Sequence, residues 1–176
     1  MLSKILCAID GSDHAEKAVD WASGLAQKFD AELILLFVAP HRMAPPELRS
    51  MAEAERVVQR TEPPAPPVSP QPGLPSQWSS EDLAQSAATS ATIYRELGER
   101  LVEGARWRAE SAGVAKVTGL VEDGDPAHRI VEVAGRESVD LIVMGRRGLG
   151  DLKGLLLGSV SHKVAQLATC ACLTIE

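Results

Sequence analysis

Short, uninterrupted apolar runs separated by amphipathic segments constrain the fold of this sequence more than any other feature. The first two runs are 4–9 and 31–38, and between them apolar residues recur every three or four positions from His14 onward. An apolar run suits a strand buried on both faces of a parallel sheet, and a spacing of three or four suits a helix packed on that sheet. The first 38 residues therefore predict a strand, a helix and a second parallel strand.

The same alternation continues through the rest of the chain. Three further strands are predicted over 115–121, 139–144 and 170–175. A helical pattern begins near Ser79, but its early Ser, Thr and Ala residues offer little apolar area, so we expect this helix from about Ala91. Asp125 followed by Pro126 predicts a helix start, with the helix running to about 137, and a last helix is predicted over 159–168. Five strands alternating with helices predict a doubly wound α/β domain.

Ten of the eleven prolines lie between Pro40 and Pro75. Proline lacks the backbone N–H that helices and central strands use, so this part of the chain is not expected to supply either. We therefore expect one domain over residues 1–176, with a Pro-rich, flexible insertion at about 41–78. Two roles stay open for the insertion: plain disorder, or a lid or partner-docking arm over a ligand site.

Charge and hydropathy exclude several classes of partner. The net charge is −6 and no basic run is longer than Arg146–Arg147, so we expect no nucleic-acid partner. No stretch reaches the roughly 18 apolar residues of a membrane span, and the N-terminus has no signal-peptide pattern, so a cytoplasmic protein is expected. Cys7, Cys170 and Cys172 are too few for a disulfide scaffold, and the last two are expected to be a buried thiol pair rather than a metal site.

Five of the fourteen glycines lie between residues 145 and 158, after the fourth predicted strand and before the last helix. Glycine lets the backbone approach an anion closely, and the start of the helix offers unpaired N–H groups and the positive end of its dipole. The loop is built like a phosphate cradle, although a flexible connection explains the glycines equally well. Because Ser159 follows Gly158, GxxxxGK[ST] is absent, and GxGxxG is absent too; neither a P-loop NTPase nor a dinucleotide-dependent dehydrogenase fits.

The loop pattern also resembles the signature of a known family. Residues 145–148 (GRRG), nine further residues and then 158–159 (GS) match the G-x2-G-x9-G-[S/T] motif of the universal stress protein family. Three strand segments resemble the family as well: 7–12, 35–38 and 139–145. The resemblance covers about 1–40 and 95–176. It implies a Rossmann-like fold similar to the adenine nucleotide alpha hydrolases, strand order 3-2-1-4-5, and membership of the family's ATP-binding branch.

Carried over residue by residue, the resemblance implies an ATP site. Asp10 and the backbone at Ile9 and Val38 would hold the adenosine, and Met144 would line the site. Six others would surround the phosphates: Gly145, Gly148, Gly158, Ser159, Val160 and Ser161. A Mg²⁺ ion would be held mainly by the phosphates. Simpler roles stay open: Asp10 as a cap of the first helix, Ser161 as a partner of a helix terminus, and Arg146 and Arg147 as solvated residues rather than phosphate ligands.

The resemblance also implies a homodimer that pairs through the last strand. The residues of that strand are Cys172, Leu173, Thr174 and Ile175. An uncovered apolar edge strand favours such pairing, although Ala171 stands where the family commonly has proline. A further, unidentified protein partner is compatible with a signalling role.

The expected function is a nucleotide-dependent regulatory module of the stress response. No general base or nucleophile is recognisable beside the phosphates, so at most slow ATP hydrolysis, or autophosphorylation at Ser159 or Ser161, is expected. Two alternatives stay open: an enzyme of the related α/β nucleotide-binding group, such as a nucleotidyl transferase or ATPase, and a dimeric interaction protein with a vestigial site. The chain lacks the HxGH and SGGxDS motifs of the first alternative and keeps the glycines that the second loses.

Overall fold

A computed structural model describes residues 1–39, 80–148 and 158–176, with residues 80–91 described by their backbone alone. The strands are β1 (Lys4–Ile9), β2 (Glu32–Ala39), β3 (Val117–Asp123), β4 (Leu141–Gly145) and β5 (Ala171–Ile175). The helices are α1 (Asp13–Phe29), α2 (Ser80–Ser111), α3 (Pro126–Arg136) and α4 (Ser159–Leu167). The five strands form one parallel sheet in the order β3-β2-β1-β4-β5. The predicted doubly wound α/β fold and its strand order 3-2-1-4-5 are confirmed.

Side chains of the inner strands alternate between two cores, one on each face of the sheet. In β2, Leu33, Leu35 and Phe37 pack with residues of α1 and α2. Ile34 and Leu36 point the other way and pack with residues of α3 and α4. Because helices cover both faces, successive residues of an inner strand are all buried in apolar surroundings. This explains why the inner strands are uninterrupted apolar runs in the sequence.

The turn between β1 and α1 ends in a helix cap. Ser12 is the N-cap residue of α1, and its Oγ accepts a hydrogen bond from the Ala15 N–H at 3.3 Å. Asp10 accepts hydrogen bonds from Ser12 instead of from the helix. The simpler role considered for Asp10, as the cap of this helix, is therefore wrong, because Ser12 takes the N-cap position directly before the first helical residue.

Helix α2 begins at Ser80, earlier than the start predicted near Ala91. Alanine is the best helix former, and elongation adds one backbone hydrogen bond for each residue fixed, so a helix can extend beyond its apolar part. The apolar part packs tightly: at Gly98, α2 approaches the sheet so closely that a Cβ would overlap the ring of Phe37. This contact fixes α2 over the C-terminal half of β2.

The remaining element ends lie within about two residues of their predicted positions. Helix α3 has Asp125 as its N-cap and Pro126 as its first residue, as the sequence predicted. The predicted insertion at about 41–78 lies outside the described residues. Of the helices that the structure describes, none combines the length and apolar character needed to cross a bilayer.

Candidate functional site

The ends of three neighbouring strands and three helices enclose a cavity of about 280 Å³. β1, β2 and β4 reach it with their C-terminal ends, and α1, α3 and α4 reach it with their N-terminal ends. Ligands of doubly wound sheets bind at this edge. The cavity wall brings together all ten residues predicted for the ATP site: Ile9, Asp10, Val38, Met144, Gly145, Gly148, Gly158, Ser159, Val160 and Ser161.

Asp10 lies directly after β1, and Ser12 orients its carboxylate. Oδ1 accepts hydrogen bonds from the Ser12 N–H at 3.0 Å and from the Ser12 hydroxyl at 2.6 Å. Oδ2 lies so close to Gly148 that a Cβ on that glycine would overlap it. Ser12 therefore caps α1 with its oxygen and holds Asp10 with its proton, which fixes one negative charge at the cavity wall.

Part of the cavity wall is apolar. Val38 and Met144, predicted to border the base, are buried at the ends of their strands. Sequence reasoning missed Pro126 and Ile130, two α3 residues on the same wall. Their i,i+4 spacing is the signal that could have found them, since residues four apart share one face of a helix. Other lining residues that were not predicted are Ala8, Ala15, Leu36 and Phe37, and Arg147, whose role the sequence left open, lines the cavity as well.

The N-terminus of α4 opens into the cavity without a side-chain cap. Gly158 is the N-cap residue, and among the described residues no side chain accepts a capping hydrogen bond from the first N–H groups of the helix. The first intrahelical bond runs from the His162 N–H to the Gly158 carbonyl at 3.0 Å, so the N–H groups of residues 159–161 have no partner within the helix. Together with the positive end of the helix dipole, these N–H groups form an anion-binding surface.

Close contacts explain two of the three motif glycines. A Cβ on Gly145 would come within 2.8 Å of the His14 Cβ, and a Cβ on Gly148 would overlap the Asp10 carboxylate. Gly158 is less crowded, because the nearest atom to its Cβ position is a backbone oxygen at 3.3 Å, and its φ of −69° suits any residue. The lack of a side chain at Gly158 therefore serves mainly to leave the helix end open.

The two adjacent arginines of the loop have different surroundings. Arg146 faces β5: its N–H donates to the Ile175 carbonyl at 2.6 Å, and its guanidinium pairs with Glu176. The Arg146 carbonyl accepts from the Gly158 N–H at 2.8 Å, which fixes the start of α4. Arg147, in contrast, lines the cavity. The sequence left both residues open between phosphate and solvent, and the structure separates them.

Ser161 is buried, and its hydroxyl is engaged by the backbone. Its Oγ lies 2.8 Å from the Arg146 carbonyl oxygen and 3.0 Å from the Gly158 carbonyl oxygen. A hydroxyl has a single hydrogen to donate, so these two acceptors occupy it. Of the two serines predicted at the phosphates, Ser159 is the exposed one.

The three cysteines lie in the described part of the chain, and all of them are free thiols. Cys7 is buried, whereas Cys170 and Cys172 are only partly buried, less than the buried pair that was predicted. Burial raises the pKa of each thiol, which disfavours the reactive thiolate. Within the three described ranges, no group of His, Cys, Asp and Glu side chains could hold a metal ion.

Comparison with known proteins identifies the family. The family model described as "Universal stress protein family" matches residues 1–65 and 65–176. The chain belongs to this family. The universal stress protein YxiE of Bacillus subtilis is 34% identical to it over 176 residues, covering 100% of both chains. The family resemblance predicted from the glycine motif is confirmed.

Solved structures of other universal stress proteins share the fold. UspA from Lactobacillus plantarum has a TM-score of 0.74 at 19% identity, covering 99% of this chain and 98% of that one. A universal stress protein in complex with cAMP has a TM-score of 0.61 at 23% identity, covering 99% and 97%. A family member from Arabidopsis thaliana with AMP bound has a TM-score of 0.55 at 20% identity, covering 98% and 90%. Likeness at these identities shows the fold alone.

Proposed function

We propose that this universal stress protein is a regulatory module that binds an adenine nucleotide, with ATP as its ligand. The observation that carries the proposal is one cavity that joins an apolar wall to an uncapped helix N-terminus. The apolar wall suits a purine base, and the helix N-terminus suits a phosphate. The cAMP and AMP found in two relatives of the same fold support this class of ligand.

The cavity divides into a nucleoside part and a phosphate part in this proposal. Val38 and Met144 contact the base together with Ile9, and Asp10 accepts a hydrogen bond from a ribose hydroxyl or from the adenine amino group. The phosphates lie against the open end of α4. Residues on this side are Gly145, Gly148, Gly158, Ser159 and Val160, with Ser161 holding the loop in shape through the backbone.

A magnesium ion would enter with the nucleotide. Asp10 is the one carboxylate among the described residues of the cavity wall. Mg²⁺ is usually held by one or two carboxylates together with phosphate oxygens and water. The donor set of this wall therefore fits an ion held mainly by the phosphates, whose charge it would neutralise.

Binding and signalling, rather than rapid catalysis, fit the groups at the cavity. Asp10 and Arg147 are the titratable side chains among its described lining residues. Arginine stays protonated and cannot act as a base, and Oδ1 of Asp10 is engaged by Ser12. We propose slow ATP hydrolysis at most, or autophosphorylation of Ser159, since the hydroxyl of Ser161 is engaged.

We also propose that residues 1–176 form one domain and that β5 pairs two copies into a homodimer. Within the described sheet, β5 lies at the edge and pairs on one side only, with β4. An edge strand with apolar residues is a ready template for pairing with a second chain. The cytoplasmic location and a protein partner that responds to the bound nucleotide stay predictions.

Thermal unfolding with ATP, ADP, AMP and GTP, each with and without Mg²⁺, tests the proposed function. The protein is first freed of nucleotide carried through purification, because a retained ligand would mask the effect. An adenine nucleotide at about 100 times its Kd is expected to raise the free energy of unfolding by about 2.7 kcal/mol. GTP at the same concentration is the matched control. Absence of any shift with every adenine nucleotide would contradict the proposal.

A further inference from the structure

Arg147 is the one positively charged side chain among the described residues of the cavity wall. We propose that its guanidinium binds a phosphate of the ligand, and that this contact makes the site select phosphorylated adenine compounds over adenosine. The inference rests on the proposed nucleotide site. It adds the residue that gives the site its charge selectivity.

Arg147 lies next to Gly158, at the N-terminus of α4 where the phosphate is proposed to bind. Its Cα lies 3.4 Å from the point that a Cβ on Gly158 would occupy, so the residue stands against the N-cap of α4. The N–H groups of residues 159–161, which have no partner within the helix, begin at the same point. A phosphate at this end of α4 therefore lies next to Arg147, which lines the same part of the cavity.

The fixed charge of Asp10 explains why a cation is needed here. Ser12 holds the Asp10 carboxylate against Gly148, the residue that follows Arg147. A phosphate entering this part of the cavity meets a negative charge that cannot turn away without losing two hydrogen bonds. Charge interactions in a partly enclosed cavity are screened less than in bulk water. Repulsion by Asp10 and attraction by Arg147 therefore both affect the affinity for a phosphate.

The chemistry of the side chain favours phosphate over other ligand groups. A guanidinium presents parallel N–H donors that match two phosphate oxygens, and such charge-assisted pairs are stronger than neutral hydrogen bonds. The base and ribose carry no charge, so they gain little from the same contact. Removing the guanidinium should therefore weaken the binding of AMP and leave the binding of adenosine almost unchanged.

The neighbouring Arg146 provides a matched control. It carries the same charge one residue earlier, but its guanidinium pairs with Glu176, and it is not among the lining residues of the cavity. Its carbonyl holds the Gly158 N–H, so a change at Arg146 acts through the shape of the loop. A disturbed loop affects both ligands, whereas a lost phosphate contact affects only AMP.

The test measures Kd by calorimetry for AMP and for adenosine, without Mg²⁺, in the wild-type protein and in Arg147→Gln, Arg147→Lys and Arg146→Gln. Arg147→Gln is expected to raise the Kd for AMP roughly 10- to 100-fold, because a charge-assisted hydrogen bond is lost. The Kd for adenosine should change by less than about twofold. Arg147→Lys keeps the charge without the planar fork, so its AMP affinity should be intermediate. Arg146→Gln should change both Kd values by the same factor.

Two results would overturn the inference and leave the proposed function standing: an unchanged AMP affinity in Arg147→Gln, or equal losses of AMP and adenosine, which would indicate a structural role. Binding of no adenine compound by the wild-type protein, ATP included, would overturn both proposals. A second expected result is a weaker salt dependence of AMP binding in Arg147→Gln, since ionic strength screens the charge contact that the substitution removes.

Discussion

Two of the helices that reach the cavity with their N-terminal ends, α3 and α4, are capped in opposite ways. At α3, the Asp125 carboxylate accepts a hydrogen bond from the His128 N–H at 3.1 Å, and Pro126 has no N–H to offer. At α4, the N-cap is Gly158, and no side chain in the described part of the chain caps the first N–H groups. One end is closed by the chain's own carboxylate, and the other is open to an external anion.

The charged side chains around the N-termini of α3 and α4 also differ. Asp125 Oδ1 lies 2.8 Å from His128 Nδ1 and 3.4 Å from Lys163 Nζ, so its negative charge forms an ion pair with neighbouring side chains. The described residues around the start of α4 include no carboxylate that reaches its N–H groups, and Arg147 lies beside it. The N-terminus of α3 is thus neutralised by the Asp125 carboxylate, whereas the described residues offer no such anion to the N-terminus of α4.

The helix caps decide where a doubly wound sheet binds an anionic ligand. Every helix that follows a strand begins at the same edge of the sheet, so several positive helix ends compete for one anion. Ser12 closes α1 and Asp125 closes α3. Of these three helices, whose caps the structure describes, α4 has glycine at its N-cap and is left available, so the cap residue, rather than the fold, assigns the phosphate site.

The largest effect on ligand binding is expected when α4 is given the same N-cap residue type as α3. Gly158→Asp would place a carboxylate on the open N–H groups, where it competes with phosphate and repels it. We expect AMP affinity to fall by about 100-fold or more, the scale of a like-charge contact in a binding site. Stability should change by only a few tenths of a kcal/mol, because glycine is itself a tolerated cap. Calorimetry and thermal unfolding measure the two effects.

Two further substitutions at this position separate charge from crowding. Gly158→Asn caps the helix without a charge, and Gly158→Ala adds only the Cβ that would meet a backbone oxygen at 3.3 Å. Affinity losses should follow the order Asp, Asn, Ala. If alanine alone abolished AMP binding, space rather than the open helix end would explain this glycine.

Removing the cap of α3 should affect stability and not binding. Asp125→Ala leaves the His128 N–H without its acceptor, and loss of an N-cap side chain lowers the free energy of unfolding by about 1 kcal/mol. Asp125 is not among the residues lining the cavity, so the Kd for AMP should stay within about twofold. Urea denaturation and calorimetry test this pair of expectations. A large loss of affinity would mean that both helix ends belong to the ligand site.

The smallest expected effect is a pH dependence of the α3 cap. The hydrogen bond from the His128 N–H, assisted by Lys163, holds the pKa of Asp125 below its ordinary value of 3.8. A lowered pKa means that the carboxylate contributes stability above the unfolded-state pKa and loses it as the pH falls through the folded-state pKa. The difference in unfolding free energy between wild type and Asp125→Asn should therefore shrink as the pH falls below about 4. A difference that stays constant to pH 2.5 would contradict the charged cap.

Much of this architecture follows from local sequence. Runs such as 33–36 are apolar at every position because both faces of the sheet are covered, so they predict buried strands without reference to the rest of the chain. Asp125 and Pro126 predict a helix start because capping is decided within one turn. The ten cavity residues could be named because the glycine spacing resembles a family motif.

Features that depend on distant residues could not be predicted. The separation of Arg146 from Arg147 depends on Ile175 and Glu176, which the fold brings next to Arg146 from β5 and the residue after it. The engagement of Ser161 depends on a carbonyl fifteen residues earlier in the chain. Periodicity also underestimated α2, because a run of Ser, Thr and Ala carries helix propensity without an apolar face.

Arg146 has a consequence for how the edge of the sheet and the cavity depend on each other. Its N–H bonds to the last residue of β5, and its carbonyl bonds to the N-cap of α4. A second chain that displaced Arg146 while pairing along β5 would change the affinity of the cavity for its ligand. Thermodynamic reciprocity then requires the ligand to change the affinity of the two chains for each other by the same factor. The backbone of a single residue, Arg146, is where that exchange of free energy would take place.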